Sequence, residues 1–143
     1  MSRRGFTLLE LMVVLALLAL TAVAAVPAFL SRTATSPEQR LASAVADALM
    51  RTRALSREGG SPAVLVLSPQ DGRFWIDMRD SSETGILPVA NGVRLDGDSR
   101  IACRFEARGS ASACVVRVRG ARELAVRVDA WNGEIRLGDG HAQ

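Results

Sequence analysis

The sequence predicts an α+β fold in which one long N-terminal helix is followed by a domain of antiparallel β-sheet. Three observations support this prediction. Residues 11–30 run for twenty residues without a charge, and apolar residues then recur every three or four positions between Pro37 and Arg57. After Pro62 the apolar residues alternate with polar ones, which is typical of strands. Without its apolar segment, a chain of 143 residues is long enough for one small domain and too short for two.

The N-terminal segment has the length of a membrane span but contains a carboxylate. A basic leader, residues 1–5, precedes the apolar segment, residues 6–30. About twenty helical residues at roughly 1.5 Å each cover the hydrocarbon core of a bilayer. Glu10 lies at the start of this run, where a charge costs about 2 kcal/mol or more and therefore usually has a partner and a function. A plain membrane anchor is one interpretation, and a twin-arginine secretory signal with a cleavage site at Ala22-Val23-Ala24 is another.

A third interpretation comes from residues 5–11, which read Gly5-Phe6-Thr7-Leu8-Leu9-Glu10-Leu11. They resemble, without a gap, the N-terminus of the type IV pilin superfamily, in which a basic leader and a glycine precede an F-T-L-x-E stretch that opens a long apolar helix. The resemblance implies that a prepilin peptidase cuts between Gly5 and Phe6 and that the new amine of Phe6 is methylated. It also implies that Glu10 pairs with the Phe6 amine of a neighbouring subunit. We prefer this interpretation because an acid offers no advantage to an anchor or a secretory signal.

The charges around the apolar run predict the orientation of the chain. Arg3 and Arg4 lie on its N-terminal side, so this end should stay in the cytoplasm and the C-terminal domain should be exported. Because the cut precedes the apolar run, the segment survives processing. We therefore expect a single-pass protein of the bacterial inner membrane with its C-terminal domain in the periplasm.

Residues 31–60 are predicted to form a periplasmic amphipathic helix. Ser36 is the expected N-cap, Pro37 occupies the first helical position, and Gln39 completes a capping box. The glycine pair at residues 59–60 ends the helix after Arg57. Its apolar face requires a sheet to pack against.

Residues 61–143 are predicted to form an antiparallel β-sheet domain. Residues 79–88 are expected to be an exposed loop, the Asn-Gly pair at residues 132–133 a turn, and Trp75 and Trp131 core residues. The predicted strands are Ala63–Leu67, Arg73–Met78, Val89–Leu95 (broken by Asn91-Gly92), Ile101–Glu106, Ala113–Arg119, Leu124–Asp129 and Glu134–Leu137. One long helix followed by an antiparallel sheet is also the pilin-like fold that the N-terminal resemblance implies.

Cys103 and Cys114, the two cysteines of the chain, are predicted to form a disulfide. They lie in two alternating runs separated by the sequence Arg108-Gly109-Ser110, so that opposite placement would bridge adjacent strands. An exported domain meets an oxidising compartment. Closing a loop of about twelve residues would stabilise the fold by roughly 2–3 kcal/mol. The alternative is a pair of buried thiols, whereas a metal site would need further ligands close by.

The composition argues against an enzyme. The chain has one histidine and no Ser-His-Asp, phosphate-loop or paired-carboxylate arrangement, so we expect neither catalysis nor a cofactor. The acids Asp77, Asp80 and Glu83 are interpreted as a solvated loop edge rather than a calcium site. The arginines at positions 117, 119, 122 and 127 are interpreted as a solvated sheet face rather than a DNA-binding patch, and nucleic acid is not an expected partner.

A looser resemblance concerns the rest of the chain. The Ala/Arg-rich helix ending in Gly-Gly and the strand pattern A-V-L-V-L…D-G-R-F-W are similar to those of the H-type minor pseudopilins of type II secretion. This implies a structural subunit near the tip of a periplasmic filament that supports protein export across the outer membrane. The implied partners are other pseudopilin subunits, the prepilin peptidase, the inner membrane and, as a further candidate, secreted cargo. Two alternatives stay open: a minor pilin of a type IV pilus, serving adhesion, motility or DNA uptake, and an exported binding protein unrelated to pilins.

Overall fold

The structure is a computed structural model that describes residues 8, 10–17, 35–97 and 99–140. The chain divides into two compact units, Met1–Thr35 and Ser36–Gln143. In the first unit, residues 10–17 are helical, and most of the predicted span at residues 6–30 lies outside the described residues. The described part of the chain contains no helix that is both long enough and apolar enough to cross a bilayer.

Helix α1, Pro37–Glu58, opens the second unit and begins at the predicted capping box. The Ser36 hydroxyl accepts a hydrogen bond from the Gln39 N–H at 3.3 Å, and the Gln39 side chain accepts one from the Ser36 N–H at 3.2 Å. At the other end the Gly59 N–H donates to the Leu55 carbonyl, and Gly60 adopts a φ of 59° that favours glycine. The caps that local sequence predicts are therefore confirmed.

Eight strands follow, and they form two antiparallel sheets rather than the one predicted. The first sheet has the order β3-β2-β1-β5 and the second has the order β4-β6-β7-β8. The strands are β1 (Ala63–Ser68), β2 (Arg73–Asp77), β3 (Ser82–Ile86), β4 (Arg94–Leu95), β5 (Ile101–Phe105), β6 (Cys114–Arg119), β7 (Glu123–Val128) and β8 (Ile135–Asp139).

The core lies where α1 packs on the inner faces of both sheets. Alternation decides which residues face it: along β6 the even-numbered residues are buried and the odd-numbered ones are exposed. The buried side chains that share this core include Leu41, Val45 and Leu49 of α1, Leu65 and Phe105 of the first sheet, and Val116, Val118 and Val126 of the second. The predicted α+β class, with a helix packed on antiparallel sheet, is confirmed.

The loop predicted at residues 79–88 is wrong, because residues 82–86 form the edge strand β3. Glu83 has an inward-facing strand position, yet it is held by Arg51 of α1, with the Arg51 Nε to Glu83 Oε2 distance at 2.7 Å. Gly85 leaves room for the ring of Phe74, which a side chain at this position would strike. This strand therefore carries a paired charge and a glycine where alternation would have shown apolar residues.

Three further predictions need correction. The strand predicted at Val89–Leu95 is reduced to the two residues of β4, because residues 91–92 form a turn just before it. Trp131 is 90% exposed in the turn between β7 and β8, although its position predicted a core residue. Trp75 is only partly buried and lies on the outer face of β2, with the guanidinium of Arg100 5.0 Å from its ring centre.

Candidate functional site

The candidate site at the N-terminus is a helical stretch with an apolar surface on every side. The six large apolar residues of this stretch are between 44% and 64% exposed; they are Leu11, Met12, Val13, Val14, Leu15 and Leu17. Consecutive helical residues point in successive directions around the axis. A helix that is apolar all round is typical of one that is buried in a larger assembly or in a membrane.

Glu10 lies in the same helical stretch with its side chain exposed, so one carboxylate stands beside this apolar surface. Gly5 and Phe6, the predicted cleavage and methylation positions, lie outside the described residues. Cleavage between them and the pairing of Glu10 with a neighbouring subunit stay predictions.

The disulfide between Cys103 and Cys114 is present, and it has a different structural role from the one predicted. Cys103 lies on β5, opposite Leu65 of the first sheet, and Cys114 lies on β6, opposite Val128 of the second. The two Cα atoms are 5.7 Å apart, within the usual range for a disulfide, and both residues are buried. The bond therefore ties two sheets together across the core instead of bridging neighbouring strands.

Reducing this disulfide is expected to lower the free energy of unfolding by roughly 2–3 kcal/mol, because the open chain regains the entropy of a loop of about twelve residues. Guanidinium unfolding followed by circular dichroism, with and without reductant, measures the difference. The matched control is the Cys103→Ala/Cys114→Ala variant, whose stability should not respond to reductant. An equal stability of the oxidised and reduced wild-type chains would contradict the role assigned to the bond.

Glu38 connects the start of α1 to the second sheet through a hydrogen bond, a role that sequence reasoning missed. It is only 4% exposed, and its Oε1 accepts a hydrogen bond from the backbone N–H of Ala121 at 2.7 Å. Hydrogen bonds from its own backbone N–H and then from that of Ala121 lower the pKa of Glu38. Gly120 packs so closely on this carboxylate that a side chain there would collide with it. The only sequence signal was an acid in the first turn of a helix, which usually serves the helix dipole.

Two other hydrogen bonds connect α1 to the two sheets of the second unit. The Ser56 hydroxyl donates to the Phe105 carbonyl of the first sheet at 3.1 Å. The Arg53 Nη2 donates to the Asn132 carbonyl in the β7–β8 turn at 2.8 Å. Because α1 bonds to both sheets, this unit can present its outer surfaces at fixed positions.

The two charged clusters of the sequence differ in the structure: among the described residues the acids form no group suited to a metal, whereas three of the four arginines share one sheet face. Among the acids at residues 77, 80 and 83, Glu83 forms an ion pair with Arg51. The described residues contain no group of three or more acids, cysteines or histidines that could hold a metal ion. Arg117 and Arg119 project from the outer face of β6, where they lie near Glu123 (3.9 Å) and Asp96 (3.2 Å). Arg127 of β7 shares this face, because β6 and β7 pair directly.

Comparison with known proteins bears directly on the N-terminal stretch. Residues 1–26 match the family described as the prokaryotic N-terminal methylation motif. The chain carries a prepilin-type N-terminus. This confirms the resemblance that residues 5–11 suggested.

The fold also has a solved counterpart. The chain is similar in structure to the minor pseudopilin EpsH from the type 2 secretion system of Vibrio cholerae, with a TM-score of 0.52 and 12% sequence identity. The match covers 71% of this chain and 95% of EpsH. At this identity the likeness shows a shared pilin-like fold. No curated protein sequence matches the chain.

Proposed function

We propose that the chain is a minor pseudopilin, a structural subunit of a type II secretion pseudopilus. The observation that carries this proposal is the presence, in one chain, of a methylation motif at residues 1–26 and a domain with the fold of a minor pseudopilin. A cleaved and methylated N-terminus opens an assembly helix, and the domain gives the subunit its outer surface.

The proposed mechanism is assembly rather than catalysis. A prepilin peptidase removes residues 1–5, and the apolar helix that begins at Phe6 moves from the membrane into a bundle formed with other subunits. The exposed apolar residues between Leu11 and Leu17 support this step, because they offer a surface on which helices of other subunits can pack through van der Waals contacts in place of lipid. Glu10 then forms an ion pair with the Phe6 amine of the next subunit, and this pairing neutralises both charges within the bundle.

The proposal places the C-terminal domain in the periplasm and the N-terminus on the cytoplasmic side of the inner membrane. The basic leader supports this orientation. The disulfide supports it as well, since such bonds persist in oxidising compartments such as the periplasm.

Deleting the gene in its own host tests the assignment to type II secretion. We expect proteins normally released into the medium to accumulate in the periplasm, and the wild-type gene to restore their release. Intact secretion together with a loss of twitching or of DNA uptake would contradict the proposal and favour a minor pilin of a type IV pilus.

A further inference from the structure

Strand β8 leaves one side of the second sheet open. It pairs with β7, and within the part of the chain that the structure describes no strand pairs with its other side. The Gly140 N–H donates to the Glu123 carbonyl at 3.0 Å, and the Asp129 N–H donates to the Glu134 carbonyl at 2.9 Å. Since antiparallel pairing alternates, residues 134, 136, 138 and 140 turn their backbone groups towards β7. The N–H and C=O groups of residues 135, 137 and 139 therefore point to the open edge.

The other three sheet edges are covered, charged or short. Strand β5 is tied to the second sheet by the disulfide, and the connection between β5 and β6 lies along its edge, with the Ser112 N–H donating to the Arg104 carbonyl at 2.8 Å. Strand β3 carries Glu83 at an inward-facing position, a charge of the kind that discourages pairing at an edge, and β4 has only two residues. By contrast, β8 keeps an unbroken register with β7 over all five residues and contains no proline.

The two faces of β8 differ in chemistry. On the outer face Arg136 lies directly opposite Arg127 of β7, an arrangement of like charges that costs stability. Glu134 pairs with Arg136 at 2.7 Å, whereas Arg127 makes no ion pair within 4.0 Å among the described residues. On the inner face Leu137 is 48% exposed at the edge of the core, whereas Gly138, on the outer face with Arg136, has open space around its Cα.

An aromatic residue lies next to the same strand in sequence. Trp131, exposed as noted above, occupies the turn that leads into β8. Tryptophan and arginine are the residues that most often dominate binding energy at protein interfaces. The open edge, the exposed leucine, the arginine pair and this tryptophan therefore lie on one short stretch of chain.

We propose that β8 binds an extended segment of a partner protein, which joins the second sheet as an additional antiparallel or parallel strand. Backbone bonds to residues 135, 137 and 139 hold the segment, and alternate side chains give selectivity, as in other cases of β-strand addition. The segment carries an acidic residue opposite Arg136 and an apolar residue opposite Leu137. A peptide is favoured over a nucleic acid because the outward N–H and C=O groups match another strand. This interface goes beyond the proposed assembly function, since it does not involve the N-terminal helix.

The test uses the full-length chain in mild detergent and a fluorescent peptide of about ten residues in which glutamate and valine alternate. The Asp139→Pro variant removes one outward N–H and leaves the bonds to β7 in place, which an edge strand tolerates. We expect this variant to bind the peptide at least about tenfold more weakly than wild type, a change of about 1.4 kcal/mol. The matched Asp139→Ala variant should bind like wild type.

A charge exchange tests the side-chain contact independently of the backbone contact. The Arg136→Glu variant should bind the glutamate peptide more weakly and a lysine–valine peptide more tightly. Arg79→Glu, which changes an exposed arginine in the β2–β3 loop, should leave both affinities unchanged.

Three results would overturn the proposal. The first is failure of the wild-type chain to bind the glutamate–valine peptide. The second is equal binding by the Asp139→Pro and Asp139→Ala variants, both with native circular dichroism spectra. The third is tighter binding of a double-stranded oligonucleotide that Arg136→Glu abolishes and Asp139→Pro does not affect, which would assign a polyanion surface instead.

Discussion

The Gly5→Val variant is expected to accumulate as an unprocessed precursor that keeps its five-residue leader and stays in the membrane. The residue before the cut has to fit the peptidase, and the resemblance places a glycine there. A branched side chain on this residue should block cleavage almost completely. Immunoblotting of the membrane fraction, with intact mass as the second readout, measures the ratio of precursor to mature chain.

The control for this experiment is Ser2→Val, which adds a similar side chain to the leader away from the cut. It should be processed like the wild type. Normal maturation of the Gly5→Val chain would remove the basis for a prepilin-type processing step.

The Glu10→Gln variant is expected to be cleaved normally and to fail at assembly. Glutamine keeps the size of the side chain but cannot neutralise the Phe6 amine of the next subunit, so that an unpaired charge stays within the bundle. At a cost of about 2 kcal/mol, the fraction of subunits incorporated should fall roughly thirtyfold. Cross-linking of membranes followed by immunoblotting compares the assembled and monomeric chains.

Val13→Ile is the matched control, because it changes an exposed apolar residue of the same helical stretch without altering charge. It should assemble like the wild type. If Glu10→Gln is cross-linked to neighbouring subunits as efficiently as wild type, the pairing mechanism is wrong even though the chain is pilin-like.

Local features of the fold were predictable from the sequence. The capping box at Ser36 and Gln39 depends on hydrogen bonds between residues three apart, and it is present as predicted. Strands such as β6 and β7 were found because one side of each faces the core, which forces apolar residues to alternate with polar ones. The helical stretch near Glu10 follows from the same kind of local signal.

Contacts between distant residues were not predictable in the same way. Alternation identifies a strand but does not say which strand pairs with it, so the division into two sheets was missed. The disulfide between Cys103 and Cys114 was predicted, but not that it joins the two sheets. The edge strand β3 was not predicted, because the inward-facing Glu83 interrupts the alternation of apolar residues. Its charge is paired with Arg51, which lies 32 residues away in sequence. The hydrogen bond from the Ala121 N–H to Glu38 joins residues that are 83 positions apart, so no local sequence pattern indicates it.

Mass spectrometry of the N-terminal peptide from the mature chain tests the central claim most directly. If the chain is a processed pilin-type subunit, the peptide begins at Phe6 and its amine carries a methyl group. A mature chain that begins at Met1, or at Ala25 after a secretory signal cleavage, would contradict the account.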